Sequence, residues 1–255
     1  MKNDQWDFIA NSPEELAKVG NELLKASKQN FLDEQVQMSR FLESMSSSSI
    51  FQYPVRVQHT GECEVPDFQI ESGGRRIAIE LAKITVPDLE HARALQRNGL
   101  KRTLNISSLY RRKQKPRTKN EIIKEGFLIQ PLRLDGVSPA ELHKIWIHEV
   151  KTQVDKKTTV LRRNDFQHGD EDWLVLCDLI GTDEFEIKSR MEIVKGLLTP
   201  CWRLDWYSRM FVQQIEFPAF LAVFSEAGLA SIPEDFKMPK HNYPPGFIFE
   251  GSAED

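Results

Sequence analysis

Two carboxylates near residue 70 are the side chains best placed to do chemistry. Asp67 precedes the alternating segment FQIE, and Glu80 lies in the middle of the apolar segment IAIELA. Charged residues are rarely buried in a strand without a partner. Two carboxylates brought together repel each other, and each costs several kcal/mol to desolvate unless a cation compensates. A divalent cation such as Mg²⁺, which takes one or two carboxylates plus waters and phosphate oxygens, would supply that compensation. An ion pair of Glu80 with Arg75 or Arg76 is the structural alternative.

The elements that would position these acids are three short strands with period-two alternation. They are QYPVRVQH, VPDFQIE and RRIAIELAKI. The turn Ser72-Gly73-Gly74 predicts a hairpin between the last two. Strand alternation then places Asp67 and Glu80 on one face of the hairpin, beside alanines that leave this face open.

Helix and strand signals along the rest of the chain predict an α/β fold. Ser12-Pro13 and Ser138-Pro139 are helix starts, the second opening a long helix towards Arg162. Further helices are expected from Asp88 and over 184–197. The apolar runs DWLVLCDLI and PAFLAVFSE are typical of buried strands. We therefore expect a single α/β domain over residues 1–255, with a mixed β-sheet flanked by helices.

The charge of the chain is unevenly distributed. Residues 101–125 contain nine Lys or Arg and two Glu, a net charge of +7, so the remainder carries −11 of the overall −4. A local cationic patch on an acidic protein can attract phosphate. A solvated loop is the plainer interpretation of the same charge run.

Composition and cysteine spacing exclude several other classes of protein. No apolar run approaches the roughly 18 residues that a membrane span requires. The N-terminal residues do not predict a signal peptide. Cys63, Cys177 and Cys201 are far apart, which argues against a disulfide framework or a structural zinc site. We expect a cytoplasmic protein without a membrane partner.

The acidic residues and their spacing resemble a known superfamily. Pro66-Asp67, twelve further residues, then an apolar strand with Glu80 followed by Ala82-Lys83 is similar to the PD-(D/E)xK nuclease motif. The resemblance implies a three-layer restriction-endonuclease-like core over about residues 30–180, in the order helix, three strands, helix, strand. It also implies that Asp67 and Glu80 hold Mg²⁺ or Mn²⁺.

The lysine of the motif departs from the family pattern. The family places it two residues after the second acid, where this chain has Ala82, and Lys83 comes one residue later. Lys83 could serve if a bulge re-aims it. Alternatively, Lys156 or Lys157 could enter from the 138–162 helix. Some family members add a glutamate from the first helix, for which Glu34 or Glu43 would qualify.

The function implied is metal-dependent hydrolysis of phosphodiester bonds in DNA, in genome defence or a mobile element. Asp67, Glu80 and Lys83 would be catalytic, and Glu34 would join the metal ligands. The cations that would grip the nucleic-acid backbone are Arg111, Arg112, Lys113, Lys115, Arg117, Lys156 and Lys157. The alternative is a degenerate module of the same fold that binds nucleic acid or a protein without cleavage. A homodimer and the choice between DNA and RNA stay open.

Overall fold

A computed structural model describes most of the chain between residues 7 and 230. The described residues are 7–26, 34–46, 48–60, 65–100, 103–104, 117–128, 139–179, 207–214, 220–225 and 228–230. The helix expected over 184–197 lies outside these residues.

One mixed sheet of eight strands organises the described part of the chain, in the order β1-β2-β3-β4-β7-β8-β9-β10. β4 pairs in parallel with β7, and β7 with β8, whereas the remaining neighbours are antiparallel. A separate two-stranded sheet joins β5 and β6. The strands are β1 (Phe8–Ala10), β2 (Val55–His59), β3 (Phe68–Ser72), β4 (Arg75–Ile84), β5 (Thr103–Leu104), β6 (Phe127–Leu128), β7 (Glu171–Asp178), β8 (Arg209–Gln214), β9 (Phe220–Ser225) and β10 (Gly228–Ala230).

Helices cover both faces of this sheet, which confirms the general α/β class. They are α1 (Pro13–Ala26), α2 (Glu34–Met45), α3 (Pro87–Arg97) and α4 (Pro139–Leu161). A helical turn, Lys119–Glu121, leads into a π-helical segment, Ile122–Gly126. One apolar cluster joins α1 and α2 to the face of β4 that carries Ile77 and Ile79. The other joins α3 and α4 to the face that carries Ala78 and Ala82.

The hairpin of β3 and β4 forms as the sequence predicts. Gly73 and Gly74 both have positive φ, 59° and 76°, the conformation that a type I′ turn requires at its two central residues. The register pairs Ser72 with Arg75 and Phe68 with Ile79. Continued by one residue, it brings Asp67 opposite Glu80. The hairpin therefore fixes the spacing of the two acids.

The predicted helix starts are also confirmed. Ser12 precedes α1, and its hydroxyl accepts the Glu15 backbone N–H at 3.3 Å. The long helix begins at Pro139, and β7 and β9 form within the two apolar runs. β1 and β8 were not predicted, because FIA is very short and RMFVQQ does not alternate regularly.

Two further sequence expectations bear on the described residues. None of their helices combines the length and the apolarity needed to cross a membrane. Cys177 is a buried free thiol. Cys63 and Cys201 lie outside the described residues.

Candidate active site

The carboxylates of Asp67 and Glu80 lie on one face of the sheet, at the open end of the β3–β4 hairpin. The Glu80 side chain is almost fully buried, with 1% exposure, and the Asp67 side chain is 13% exposed. The Leu81 backbone N–H donates to Asp67 Oδ2 at 2.7 Å. This bond anchors the Asp67 carboxylate to β4 just where the β3–β4 ladder ends.

Lys157 of α4 completes the cluster from across the layer. Its Nζ donates a hydrogen bond to Glu80 Oε2 and lies 3.6 Å from Asp67 Oδ2. The Tyr207 hydroxyl donates to the Lys157 backbone carbonyl at 3.0 Å, which holds this part of α4 over the sheet. The partner of Glu80 is therefore Lys157. Arg75, one of the two hairpin arginines considered as the partner of Glu80, pairs with Glu171 instead.

Burial and like charge dominate the electrostatics of the two acids. Desolvation, followed by repulsion from Asp67, raises the pKa of Glu80 to about 7 even though Lys157 opposes the shift. Desolvation also raises the pKa of Asp67. Burial by itself would lower the pKa of Lys157, but attraction to Asp67 and Glu80 outweighs it, and the net shift is upward. One ammonium thus compensates two carboxylates only in part.

The donor set fits a small hard cation in its chemistry. Glu80 Oε1 is buried and accepts no hydrogen bond from the described residues. This oxygen therefore has lone pairs that a cation could use. Carboxylate oxygens are what Mg²⁺ and Mn²⁺ prefer. Among the described residues, however, no three His, Cys, Asp or Glu side chains are grouped closely enough to hold a metal. The side chains that could hold one are therefore Asp67 and Glu80, and the cation now between them is the ammonium of Lys157.

Lys83 is not part of this cluster. Strand alternation places it on the face of β4 that carries Ile79 and Leu81, opposite Glu80. β4 pairs regularly with β7 through Lys83 and Ile84, so no bulge re-aims the side chain. Neither of the two acids forms an ion pair or hydrogen bond with Lys83 in the described structure. The lysine beside the acids is Lys157, which the sequence had offered as an alternative.

Glu34, the first residue of α2, lies at the rim of the site. Its Oε2 is 3.9 Å from His59 Nε2, and its side chain is 47% exposed. Interaction with the His59 ring lowers the pKa of Glu34 and raises the pKa of His59. The His59 ring packs against Phe68, 4.7 Å between ring centroids. Glu43, the other first-helix candidate, pairs with Arg40 at 3.0 Å.

A cavity of about 370 Å³ opens next to the cluster, where α2, the end of β4, the start of α3 and α4 meet. Its polar lining is mixed in charge. Within the described part of the chain, the wall includes Lys157 but neither Asp67 nor Glu80. The residues that line it are Glu34, Gln37, Leu81, Ala82, Lys83, Thr85, Pro87, Glu90, Glu149, Gln153, Lys156 and Lys157. The acids therefore lie behind the lysine as seen from the cavity.

The predicted nucleic-acid contacts have different locations. Lys156 is exposed and lines the cavity, whereas Lys157 is engaged with the acids. Arg117 is buried, and its Nε lies 3.0 Å from Asp88 Oδ2, so it holds the chain against α3 and is not presented to solvent. The remaining four cations, Arg111, Arg112, Lys113 and Lys115, lie outside the described residues.

Sequence reasoning missed two groups of residues at this site. One is His59, which no motif indicated. The other is the pair Glu149 and Gln153 of α4, which share the cavity wall with the predicted Lys156 and Lys157. These four residues of α4 are spaced by three or four positions, which is a helical period. That spacing is the signal that could have predicted one polar face on this helix.

No protein-family model, curated protein or solved structure matches this chain in comparisons of sequence and fold. The case for its function accordingly rests on the chemistry and geometry of its own residues.

Proposed function

We propose that the protein is a metal-dependent nuclease that hydrolyses phosphodiester bonds of DNA, with Asp67, Glu80 and Lys157 as its catalytic residues. The observation that carries this proposal is the meeting of two buried carboxylates and one lysine at the open end of the β3–β4 hairpin. These are the residue types of the PD-(D/E)xK motif, with the lysine supplied by a helix. Clusters of titratable groups with shifted pKa values beside a cavity are typical of functional sites.

Each of the three side chains has a role suited to its position. Asp67 and Glu80 would hold Mg²⁺ or Mn²⁺, because their oxygens share one face and no described residue donates to Glu80 Oε1. When bound, the metal would supply a water of lowered pKa and a Lewis-acid contact to a phosphate oxygen. Lys157 would orient the attacking water or contact the scissile phosphate from the cavity side. Glu34, which is not grouped closely enough with the two acids to share a metal in the described structure, stays at the rim of the site.

The order of elements supports the proposal independently of the side chains. Once α3 and the short elements between α3 and α4 are set aside, α2, β2, β3, β4, α4 and β7 give the order helix, three strands, helix, strand, with β4 and β7 parallel. This is the order that a restriction-endonuclease-like core requires. The additional strands β8, β9 and β10 extend the same sheet beyond β7.

A specific observation favours the alternative of a non-cleaving module. Lys157 already occupies the space between the acids, and Ala82 stands where the family has its lysine. A degenerate site of this kind would keep the fold and bind nucleic acid without hydrolysis, with the Lys157 ion pair stabilising the structure.

Cleavage assays with matched variants separate the two candidates. The purified protein is incubated with plasmid and single-stranded DNA in Mg²⁺ or Mn²⁺, beside Asp67→Asn, Glu80→Gln and Glu71→Gln. Glu71 lies on β3, on the same side as Asp67, but pairs with Arg56. We expect metal-dependent cleavage by the wild type and Glu71→Gln, and a loss of roughly a thousandfold or more in the other two. DNA binding without cleavage by the wild type, in either metal, would support the module instead.

A further inference from the structure

The relation between Lys157 and the cavity has a consequence for metal binding. Lys157 borders the cavity, and its Nζ bonds to Glu80 and lies near Asp67 on the other side. The ammonium thus takes the space between the two carboxylates in which a divalent cation would be held. A second cation there would meet a like charge within contact distance, which is strongly unfavourable in a buried setting.

The cavity offers Lys157 a second position. It is open space of about 370 Å³ whose wall carries the acceptors Glu34, Glu149 and Gln153, together with the like charges of Lys83 and Lys156. An ammonium that turns into this space would therefore find acceptors and water. The backbone of Lys157 need not move, because rotation about the side-chain bonds is enough to turn the ammonium while the Tyr207 hydroxyl holds the backbone carbonyl. A long flexible stem that carries a small charged head is suited to such a change of position.

We propose that Lys157 is a displaceable resident cation: a divalent metal binds Asp67 and Glu80 only when the Lys157 ammonium withdraws into the cavity. This inference rests on the proposed function. Binding of the metal and movement of the Lys157 ammonium to the side of the site where substrate would bind then occur together. Without metal, the ammonium keeps the buried acids compensated. With metal, it lies in the cavity where a phosphate would approach.

The inference distinguishes two neighbouring lysines. Lys156 lines the same cavity but is exposed and forms no ion pair with the acids in the described structure. Replacing Lys157 by methionine removes the competing charge and keeps the volume of the stem, whereas Lys156→Met changes the cavity charge alone. Lys156→Met is therefore the matched control.

The experiment combines calorimetric titration of Mg²⁺ and Mn²⁺ with amine labelling and mass spectrometry of the wild type. We expect Lys157→Met to bind metal about tenfold more tightly than the wild type, and Lys156→Met to bind as the wild type does. Saturating Mg²⁺ should raise the labelling rate of wild-type Lys157 several-fold from its protected state, at 22% side-chain exposure, and leave Lys156 unchanged. Unfolding midpoints of all variants, measured in parallel, establish that the titrated proteins are folded.

The outcomes separate this inference from the proposed function. Metal binding by the wild type while Lys157 stays protected, or no gain of affinity in Lys157→Met, overturns the displacement and leaves the nuclease proposal standing. Absence of metal binding in both proteins at millimolar concentration overturns both. Tighter binding in Lys157→Met together with metal-dependent exposure of Lys157 supports the displacement.

Discussion

Two charge clusters of opposite balance lie on the central strands β4 and β7. At the amino end of β7, Glu171 accepts from Arg75, from Arg209 Nε at 3.1 Å and from Trp173 Nε1 at 2.8 Å. There, two cations surround one acid. At the open end of the β3–β4 hairpin, two acids share one lysine, and Glu80 Oε1 accepts nothing from the described residues.

The Glu171 cluster stabilises the fold, whereas the Asp67–Glu80 cluster is suited to bind a cation. In the Glu171 cluster both carboxylate oxygens have donors, and the arginines are 38% and 31% exposed, so water screens the surplus charge. The Asp67–Glu80 cluster is more buried, it has surplus negative charge, and it adjoins a cavity. A site that is left under-compensated in this way favours the arrival of a cation.

The largest effect we expect is on cleavage. Lys157→Met should lower the rate about a hundredfold or more, because it removes the group that acts on water or phosphate. Arg209→Met, which changes the Glu171 cluster, should cleave as the wild type does. Single-turnover assays on plasmid DNA measure both. Equal losses of cleavage rate in the two variants would mean that both substitutions act by destabilising the protein. The proposed difference between the two clusters would then be wrong.

The next effect concerns the pH dependence of stability. The folded-state pKa of Glu80 is raised from 4.5 to about 7, so the folded protein binds this proton more tightly than the unfolded chain. Stability from this group is therefore full below about pH 4.5 and is lost as the pH rises to 7, a fall of about 2–3 kcal/mol in unfolding free energy. The raised pKa of Asp67 acts in the same direction, and the two acids titrate as a pair.

Urea unfolding at several pH values tests this expectation. Between pH 5 and pH 8 the wild type should lose stability, and Glu80→Gln should lose much less. The raised pKa of His59 adds a loss of the same sign to both proteins, so the difference between them isolates the acidic pair. A slope that is the same in Glu80→Gln would place its origin elsewhere.

Metal should stabilise the protein through the Asp67–Glu80 cluster and not through the Glu171 cluster. At a concentration ten times the Kd, a ligand that binds only the folded state adds about 1.4 kcal/mol to the unfolding free energy. We expect this increment in the wild type and in Arg209→Met, and none in Asp67→Asn. Thermal unfolding with and without Mg²⁺ measures it. An increment that survives in Asp67→Asn would locate the metal away from the acidic pair.

The smallest effect belongs to the Glu171 cluster itself. Arg209→Met should cost about 0.5–1 kcal/mol of stability, because it removes a partly exposed ion pair and the stacking of the guanidinium over Trp173, 5.5 Å from the ring centroid. Equilibrium unfolding at low and high salt measures the cost, which should shrink as salt screens the pair. A loss of several kcal/mol of unfolding free energy would show that solvent screens the charges of the Glu171 cluster as poorly as those of the Asp67–Glu80 cluster.

The sequence determined the local half of the candidate site. Period-two alternation and a Gly-Gly turn were enough to place Asp67 and Glu80 on one face, because strand geometry and a two-residue turn fix the register within twenty residues. The long helix and the buried strand β7 were predicted for the same reason: their capping and apolar patterns are local.

Tertiary structure alone decided which cation meets the acids. Lys157 is separated from Glu80 by 77 residues, and only the packing of α4 on the sheet brings its ammonium to that carboxylate. Packing of the chain against α3 made Arg117 a buried partner of Asp88, although its neighbours in sequence suggested a solvated basic segment. Lys83, the nearest lysine in sequence, lies on the opposite face because a regular strand alternates its side chains. Sequence distance predicts contacts within a hairpin, but a contact between layers depends on how whole elements pack.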